Sequence, residues 1–166
     1  EDQRLAYELL TSDKDQLEHD IVRKSIRQKL HKFVDHLDVD SHASVLRLAR
    51  KQHLCSEVQG TLKEGVEDGD LLKRLHPTPA VGGYPTENAL PEIARLEPFN
   101  RGWYAAPIGW IGAEDAEFVV GIRSGLVEGD KLSLYSGAGI VRGSDPDEEW
   151  EEVENKIQDF IDILGS

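Results

Sequence analysis

Apolar residues in the first 37 positions recur with the period of amphipathic helices. A short helix through Leu5 and Leu9 is predicted to end at the capping cluster Thr11-Ser12-Asp13. A longer helix then carries one apolar stripe with spacings of four and three, formed by Val22, Ile26, Leu30, Phe33 and Leu37. Glu18 lies at the edge of this stripe, where its carboxylate must reach either solvent or a partner.

The middle of the chain passes from a strand pattern to a helix pattern and then to a loop. Residues 53–62 (HLCSEVQGTL) alternate like a strand, and a helix is predicted from about 66 to 75. The segment HPTPAVGGYP, residues 76–85, contains three prolines and two glycines. This composition predicts an ordered loop and excludes a helix or a central strand. Another helix is predicted from about 87 to 96.

The remaining residues indicate an antiparallel meander followed by a helix. The strand patterns are WYAAPIGWIG, EFVVGIRSGLV and KLSLYSGAGIV, separated by turn signals at 112–115 and 128–130. Asp145 is the predicted N-cap of the last helix, with Pro146 at its first position. The expected core stripe of that helix is Trp150, Val153, Ile157, Phe160 or Ile161, and Leu164. The whole chain, residues 1–166, therefore reads as one unit of α+β type without an internal boundary.

The net charge and the composition of the chain exclude several classes of function. The formal net charge of −13 disfavours binding to nucleic-acid backbones and to anionic membrane surfaces. The single cysteine, Cys55, excludes an internal disulfide and a cysteine-based metal cage. No apolar run approaches roughly 20 residues and no signal-peptide pattern opens the chain, so a cytoplasmic location is predicted. The chain contains no methionine, which favours its being part of something larger.

Two groups of residues could carry chemistry, each with a simpler structural alternative. Glu149, Glu152 and Lys156 share one flank of the last helix, where they could hold a divalent ion and a carboxylate. The simpler alternative is that acidic residues are common in the first turn of a helix because they complement its dipole, although Glu152 lies beyond the first turn. The glycines of Ser136-Gly137-Ala138-Gly139 could form an anion-binding nest or simply a bulge.

Two single residues complete the candidates. Arg123 interrupts a strand pattern on the face of Val119 and Gly121, so its guanidinium is expected to be partly buried and paired with a carboxylate of the protein or of a ligand. His76 is either a hydrogen-bonding loop residue or a site residue. A Ser-His-Asp or Cys-His nucleophile has no support in the spacing.

Taken in order, these segments resemble the chorismate-binding enzyme family, which includes isochorismate, salicylate, anthranilate and aminodeoxychorismate synthases. The resemblance covers essentially the whole chain. It is carried by ELLTSDKDQLEH from Glu8, HPTPAVGGYP from His76, RGWY from Arg101, GIRSGLV from Gly121, SGAGIV from Ser136 and EWEEVENK from Glu149. The HPTPA segment is most like that of isochorismate synthases, whether of menaquinone, siderophore or plant-type salicylate pathways.

The resemblance implies Mg2+-dependent isomerisation of chorismate to isochorismate, and it assigns site residues. The implied magnesium ligands are Glu18 and Glu152, with Glu149 acting through water. Tyr104 and Arg123 would hold the enolpyruvyl carboxylate, and Lys156 with the backbone of Gly137, Ala138 and Gly139 would hold carboxylate charge. The ring pocket would be lined by His76, Thr78 and Ala80.

The resemblance also implies a missing part. In the family, the lysine that activates water and the glutamate that protonates the leaving hydroxyl lie in the N-terminal half, upstream of residue 1. The chain is therefore expected to be the C-terminal portion of an antiparallel-sheet-rich α/β sandwich, on which the N-terminal half of the same enzyme packs. The alternatives are a non-catalytic chorismate-binding or assembly module, a related salicylate- or anthranilate-type synthase, and an unrelated carboxylate-binding protein.

Overall fold

The computed structural model describes residues 2–48 and 51–165 and, apart from the side chain of Asp159, their side chains. Backbone contacts divide the chain into two compact units, Glu1–Ile93 and Ala94–Ser166. The prediction that the whole chain belongs to one catalytic domain stays a prediction. No helix within the described ranges is long and apolar enough to cross a membrane. The predicted cytoplasmic location is not tested by this finding.

The first unit combines helices with two antiparallel strand pairs. Its elements are α1 (Asp2–Thr11), α2 (Asp13–Leu30), β1 (Val34–Val39), β2 (Ser44–Arg47), β3 (Gln52–Cys55), β4 (Val58–Leu62), α3 (Asp68–Leu75), α4 (Pro79–Gly82) and α5 (Thr86–Leu96), the last of which crosses the boundary between the units. Strand β1 pairs with β4, and β2 pairs with β3. Ser12 is the N-cap of α2, and its side chain accepts a hydrogen bond from the backbone N–H of Asp15.

The predicted long helix through Leu37 is wrong at its C-terminal end. Helix α2 stops at Leu30, and Leu37 lies in β1 opposite Gly60 of β4. Polar and apolar residues alternate only from His36 to Val39, and the register of the β1–β4 ladder shifts between Val34 and His36. Residues 53–62 likewise form two strands, β3 and β4, with different partners.

The prediction that the segment from His76 to Pro85 contains no helix is wrong, because Pro79–Gly82 form the short helix α4. Pro79 occupies the first position of α4, where proline costs no hydrogen bond because the first N–H groups of a helix are unpaired anyway. Gly83 ends the turn with φ of +71°, a conformation open to glycine. The peptide bonds before Pro77 and Pro85 are cis.

The second unit consists of two hairpins and one long helix. Strands β5 (Pro107–Ile111) and β6 (Ala116–Val120) form the first hairpin, and β7 (Ser124–Glu128) and β8 (Lys131–Tyr135) form the second. Helix α6 (Pro146–Leu164) follows. The predicted cap is confirmed, because the Asp145 side chain accepts hydrogen bonds from the backbone N–H groups of Asp147 and Glu148.

Two expectations for the second unit are corrected. The pattern EFVVGIRSGLV is not one strand, since Gly121-Ile122-Arg123 separates β6 from β7 and Arg123 has φ of +49°. Arg123 therefore shares no strand face with Val119. The stripe of α6 is only partly covered: Val153, Ile157 and Phe160 are half-buried, whereas Trp150, Ile161 and Leu164 are exposed. The predicted α+β class, with antiparallel strands, is confirmed.

Candidate carboxylate-binding site

The open end of the β7–β8 hairpin brings two predicted site segments together. The last pair of the ladder is Ser124 with Tyr135, and the tight turn lies at the opposite end, beyond Glu128 and Lys131. Arg123, which directly precedes β7, and Ser136, which directly follows β8, therefore lie at the same end of the hairpin. The segment Gly137–Gly139 continues from Ser136 without regular structure.

Gly137 is in contact with two further predicted site residues. A Cβ atom added at Gly137 would lie 2.7 Å from the hydroxyl oxygen of Tyr104, so only hydrogen fits at this position. The Nζ of Lys156 donates a hydrogen bond to the carbonyl oxygen of Gly137 at 3.0 Å. The second unit thus brings Tyr104, Gly137 and Lys156 together, and their predicted roles in binding carboxylates stay predictions. Ala138 is half-buried and Gly139 is exposed.

Tyr104 is held by aromatic and cationic neighbours. Its ring stacks on Tyr135 with 5.6 Å between centroids, and the guanidinium of Arg101 lies 5.7 Å from its centroid. Arg101 is fixed in turn by two hydrogen bonds to the carboxylate of Glu97. Burial raises the pKa of Tyr104, so at neutral pH the phenol keeps its proton and can donate a hydrogen bond.

Sequence reasoning gave no role to Tyr135 and Arg101. Arg101 carried a usable signal, because it opens the RGWY motif three residues before Tyr104. Tyr135 carried none, since an aromatic residue ending a strand is most often part of a core.

Arg123 and Ser136 each hold a buried polar atom that lacks a hydrogen-bond partner among the described residues. These atoms are Nε of Arg123 and Oγ of Ser136. Such atoms are uncommon in folded proteins and call for an explanation, for which a bound ligand is one candidate. A positive φ at a non-glycine residue such as Arg123 is also unusual and is often found at binding sites.

The carboxylate flank of α6 faces the same part of the second unit. The side chain of Glu152 forms an ion pair with Lys156, with 2.5 Å between Oε1 and Nζ. Glu149, one turn earlier, is only 4% exposed. A helix-dipole preference accounts for an acidic residue in the first turn but not for its burial, because charged side chains are seldom buried without a specific interaction.

The other predicted site residues belong to the first unit. His76 follows the last residue of α3, Thr78 precedes α4, and Ala80 lies exposed in α4. The backbone oxygen of Thr78 accepts hydrogen bonds from the N–H groups of Val81 and Gly82. Burial, and secondarily the charge of Lys29, lowers the pKa of His76.

Glu18 is half-buried on α2 of the first unit. Its neighbour His19 shares a 2.8 Å hydrogen bond with Ser56, and burial lowers the pKa of His19. Glu152 belongs to the second unit, so the predicted convergence of Glu18 and Glu152 stays a prediction.

The donor chemistry suits magnesium even though no large cluster of ligands is present. Within residues 2–48 and 51–165, no group of three or more His, Cys, Asp or Glu side chains is arranged to hold a metal ion. Mg2+ is commonly bound through one or two carboxylates and keeps several waters. Glu149 and Glu152 offer such oxygens on one helix flank, and the predicted Mg2+ stays a prediction.

Comparisons of the sequence and of the structure with known proteins all find chorismate-binding enzymes. A family model described as "Chorismate binding enzyme" matches residues 1–165. The chain is 51% identical over 158 residues to isochorismate synthase 2, chloroplastic, of Arabidopsis thaliana, covering 95% of this chain and 28% of that protein.

Two solved structures are similar to the chain. One is described as the isochorismate synthase DhbC of Bacillus anthracis, with a TM-score of 0.93, 38% identity, and coverage of 99% of this chain and 44% of that one. The other is the menaquinone-specific isochorismate synthase MenF of Escherichia coli, with a TM-score of 0.83, 43% identity, and coverage of 93% and 36%. The chain thus spans less than half the length of each of the three proteins.

Proposed function

Because this chain belongs to the chorismate-binding enzyme family, we propose that the complete protein converts chorismate to isochorismate. The present chain would supply the part of the site that binds the metal and the substrate carboxylates. Identities of 51% and 43% to isochorismate synthases support this activity over the related salicylate- and anthranilate-type reactions.

One observation carries the proposal: donors for an anion gather at the open end of the β7–β8 hairpin. Arg123 and Ser136 flank the hairpin at that end. The phenol of Tyr104 lies next to Gly137, and the ammonium of Lys156 donates a hydrogen bond to its carbonyl oxygen. The protein as a whole carries a net charge of −13, so an anionic substrate needs such a local concentration of positive charge and hydrogen-bond donors. Chorismate and isochorismate each carry two carboxylates.

The proposed roles follow the family resemblance and this geometry. Arg123 and Tyr104 would hold the enolpyruvyl carboxylate, with the guanidinium fork and the phenol proton as donors. Lys156 and the backbone N–H groups of Gly137, Ala138 and Gly139 would hold carboxylate charge. In the first unit, His76, Thr78 and Ala80 would line the ring pocket.

Glu18 and Glu152 would bind Mg2+, with Glu149 acting through a water molecule. When bound, the ion would neutralise the ring carboxylate of the substrate. A crystal structure of the complete protein with Mg2+ tests the pairing. Carboxyl groups of Glu18 and Glu152 more than roughly 10 Å apart would exclude a shared ion, since Mg–O distances are about 2.1 Å.

The rest of the enzyme would pack on the exposed apolar surface of the hairpins. In the β5–β6 ladder, Ile108 lies opposite Val119, and Trp110 is two residues further along the same face. Their exposed fractions are 53%, 60% and 49%. A group of exposed apolar side chains on one face of a hairpin is often an interaction surface. Here the proposed cover is the N-terminal half, which would also bring the general base and the general acid.

The decisive experiment compares the complete protein with the present chain alone. Each is incubated with chorismate and Mg2+, and isochorismate, salicylate and anthranilate are separated by chromatography. We expect isochorismate from the complete protein and none from the chain alone, because general acid–base groups each contribute about 10²- to 10⁴-fold. Turnover by the chain alone would contradict the division of the site. Chorismate binding without any product in the complete protein would favour the non-catalytic module.

A further inference from the structure

At the C-terminal end of α3 the N–H of His76 donates to the carbonyl oxygen of Leu72, but two later carbonyls cannot be paired in this way. The last four carbonyl groups of an α-helix have no partner within the helix, and the following residues often supply one. After α3, which ends at Leu75, the N–H groups four positions beyond Lys73 and Leu75 would belong to Pro77 and Pro79. Proline has no N–H, so these carbonyls need donors from another part of the chain.

Lys29, the next-to-last residue of α2, provides such a donor. Its Nζ donates hydrogen bonds to the carbonyl oxygens of Leu75, at 3.1 Å, and of Pro77, at 2.8 Å. These two carbonyls flank His76 on either side. A third hydrogen bond runs in the opposite sense, from Nε of Arg74 to the carbonyl oxygen of Lys29 at 3.4 Å. One ammonium group therefore fixes the backbone before and after a single proposed site residue.

Two charged side chains take part in these hydrogen bonds, Lys29 on α2 and Arg74 on α3. The element α4, which also packs against α2, contains no titratable side chain. Burial and the charge of Lys29 lower the pKa of His76, and burial and Arg74 lower the pKa of Lys29. At neutral pH the imidazole is thus held in its neutral form, with one nitrogen as a donor and the other as an acceptor.

We propose that Lys29 is a positioning residue for the segment His76–Ala80, which it holds in the conformation that faces the ring of the ligand. Lys29 itself does not touch the ligand. This inference rests on the proposed function for the role of His76, and it deepens that proposal by naming the group outside the pocket on which the loop depends.

The test uses substitutions of Lys29 in the complete protein. Lys29→Met removes the donors and the charge at similar length, and Lys29→Arg keeps both. Lys24→Met, at an exposed lysine of the same helix, is the matched control. The first readout is the pKa of the His76 imidazole, followed by NMR of histidine-labelled protein and assigned with His76→Gln. The second is the pair kcat and KM for chorismate.

We expect Lys29→Met to raise the pKa of His76 and to lower kcat/KM by about 10- to 100-fold, since small displacements of a positioning group have effects of this size. Lys29→Arg and Lys24→Met should stay close to the wild type. A merely structural role would lower the melting temperature of Lys29→Met and leave kcat/KM of the folded enzyme unchanged, which would overturn the inference. If Lys29→Met does not fold, Lys29→Gln is used instead; it removes the charge and keeps an amide donor on a shorter side chain, so we expect a smaller loss of kcat/KM, and wild-type kcat/KM would overturn the inference.

A separate variant distinguishes this inference from the proposed function. Full activity of His76→Gln would remove His76 from the ring pocket and so contradict the proposed function at that position. The hold of Lys29 on the segment would still be decided in Lys29→Met, where displacement of the segment should change the backbone amide NMR signals of His76, Thr78 and Ala80.

Discussion

Lys156 joins the carboxylate flank of α6 to the glycine segment after β8. Its Nζ pairs with Glu152 and also donates to the carbonyl oxygen of Gly137. The two features that the sequence offered as separate candidates, an acidic helix flank and a Gly-Ala-Gly segment, are therefore connected through one side chain within the second unit. The Lys156 side chain is 21% exposed, so its charge remains within reach of a ligand.

Arg123 is expected to resist conservative replacement. If its guanidinium holds a carboxylate through paired hydrogen bonds, Arg123→Lys should cost about 2–4 kcal/mol, or roughly 30- to 1,000-fold in kcat/KM, because an ammonium lacks the planar fork. The complete enzyme is assayed for chorismate turnover, with Arg142→Lys at an exposed position as control. An unchanged kcat/KM together with a lowered melting temperature would make Arg123 a structural residue.

Gly137→Ala should damage substrate binding through Tyr104. The new Cβ would lie 2.7 Å from the phenol oxygen, and the ring, which is stacked on Tyr135, has to move. We expect kcat/KM for chorismate to fall by about 10- to 100-fold. Gly69→Ala, where a Cβ meets nothing within 4 Å, is the control. A Gly137→Ala enzyme with wild-type kinetics would show that Tyr104 does not act at this position.

Protonation of His76 should destabilise the protein in mild acid. Its pKa in the folded state lies below the ordinary 6.5 because of burial and Lys29. Above pH 6.5 the imidazole is neutral in both states, and the stability is complete. As the pH falls below that value, the unfolded state takes up the proton first, so stability is lost until the pKa of the folded state is reached.

The measurement for His76 is the melting temperature at a series of pH values. His76→Gln should lose less stability than the wild type between about pH 7.5 and about pH 5.5. His36→Gln, at an exposed position of β1, controls for the loss of a histidine as such. Parallel curves for the wild type and His76→Gln would refute the prediction.

Asp145→Ala should loosen the helix that carries the acidic flank. The substitution removes the acceptor for the N–H groups of Asp147 and Glu148 and should lower the free energy of unfolding by about 1 kcal/mol. Chemical denaturation measures this, with Glu151→Ala at an exposed position of α6 as the comparison. Equal stabilities of the two variants would show that the cap contributes little.

Local signals predicted some elements well and others not at all. The start of α6 was predictable because Asp145 and Pro146 act on the next few residues only. Strand β1 was not, because Phe33 and Leu37 satisfy a helix period while the pairing partner of Leu37 is Gly60, which lies far along the chain. In physical terms, pairing with a distant strand outweighed local periodicity.

For the candidate site, too, local sequence patterns did not predict contacts between distant residues. Burial of the Arg123 side chain was expected from the strand pattern, yet the pattern missed the break at Gly121–Arg123, which places Arg123 at a hairpin end. Lys29 gave no signal in the sequence, since its two acceptors lie 46 and 48 residues further on. Contacts of this range depend on how α2 and α3 pack, which periodicity along one helix does not report.

The pairing of strands two by two has a practical consequence for work with this chain. In the described ranges each strand forms its ladder on one side only, so its other edge has no neighbouring strand. Such edges are templates for pairing with further chains, and here they accompany exposed apolar side chains. The chain expressed by itself should therefore self-associate as its concentration rises, and co-expression with the proposed N-terminal half should keep it monodisperse.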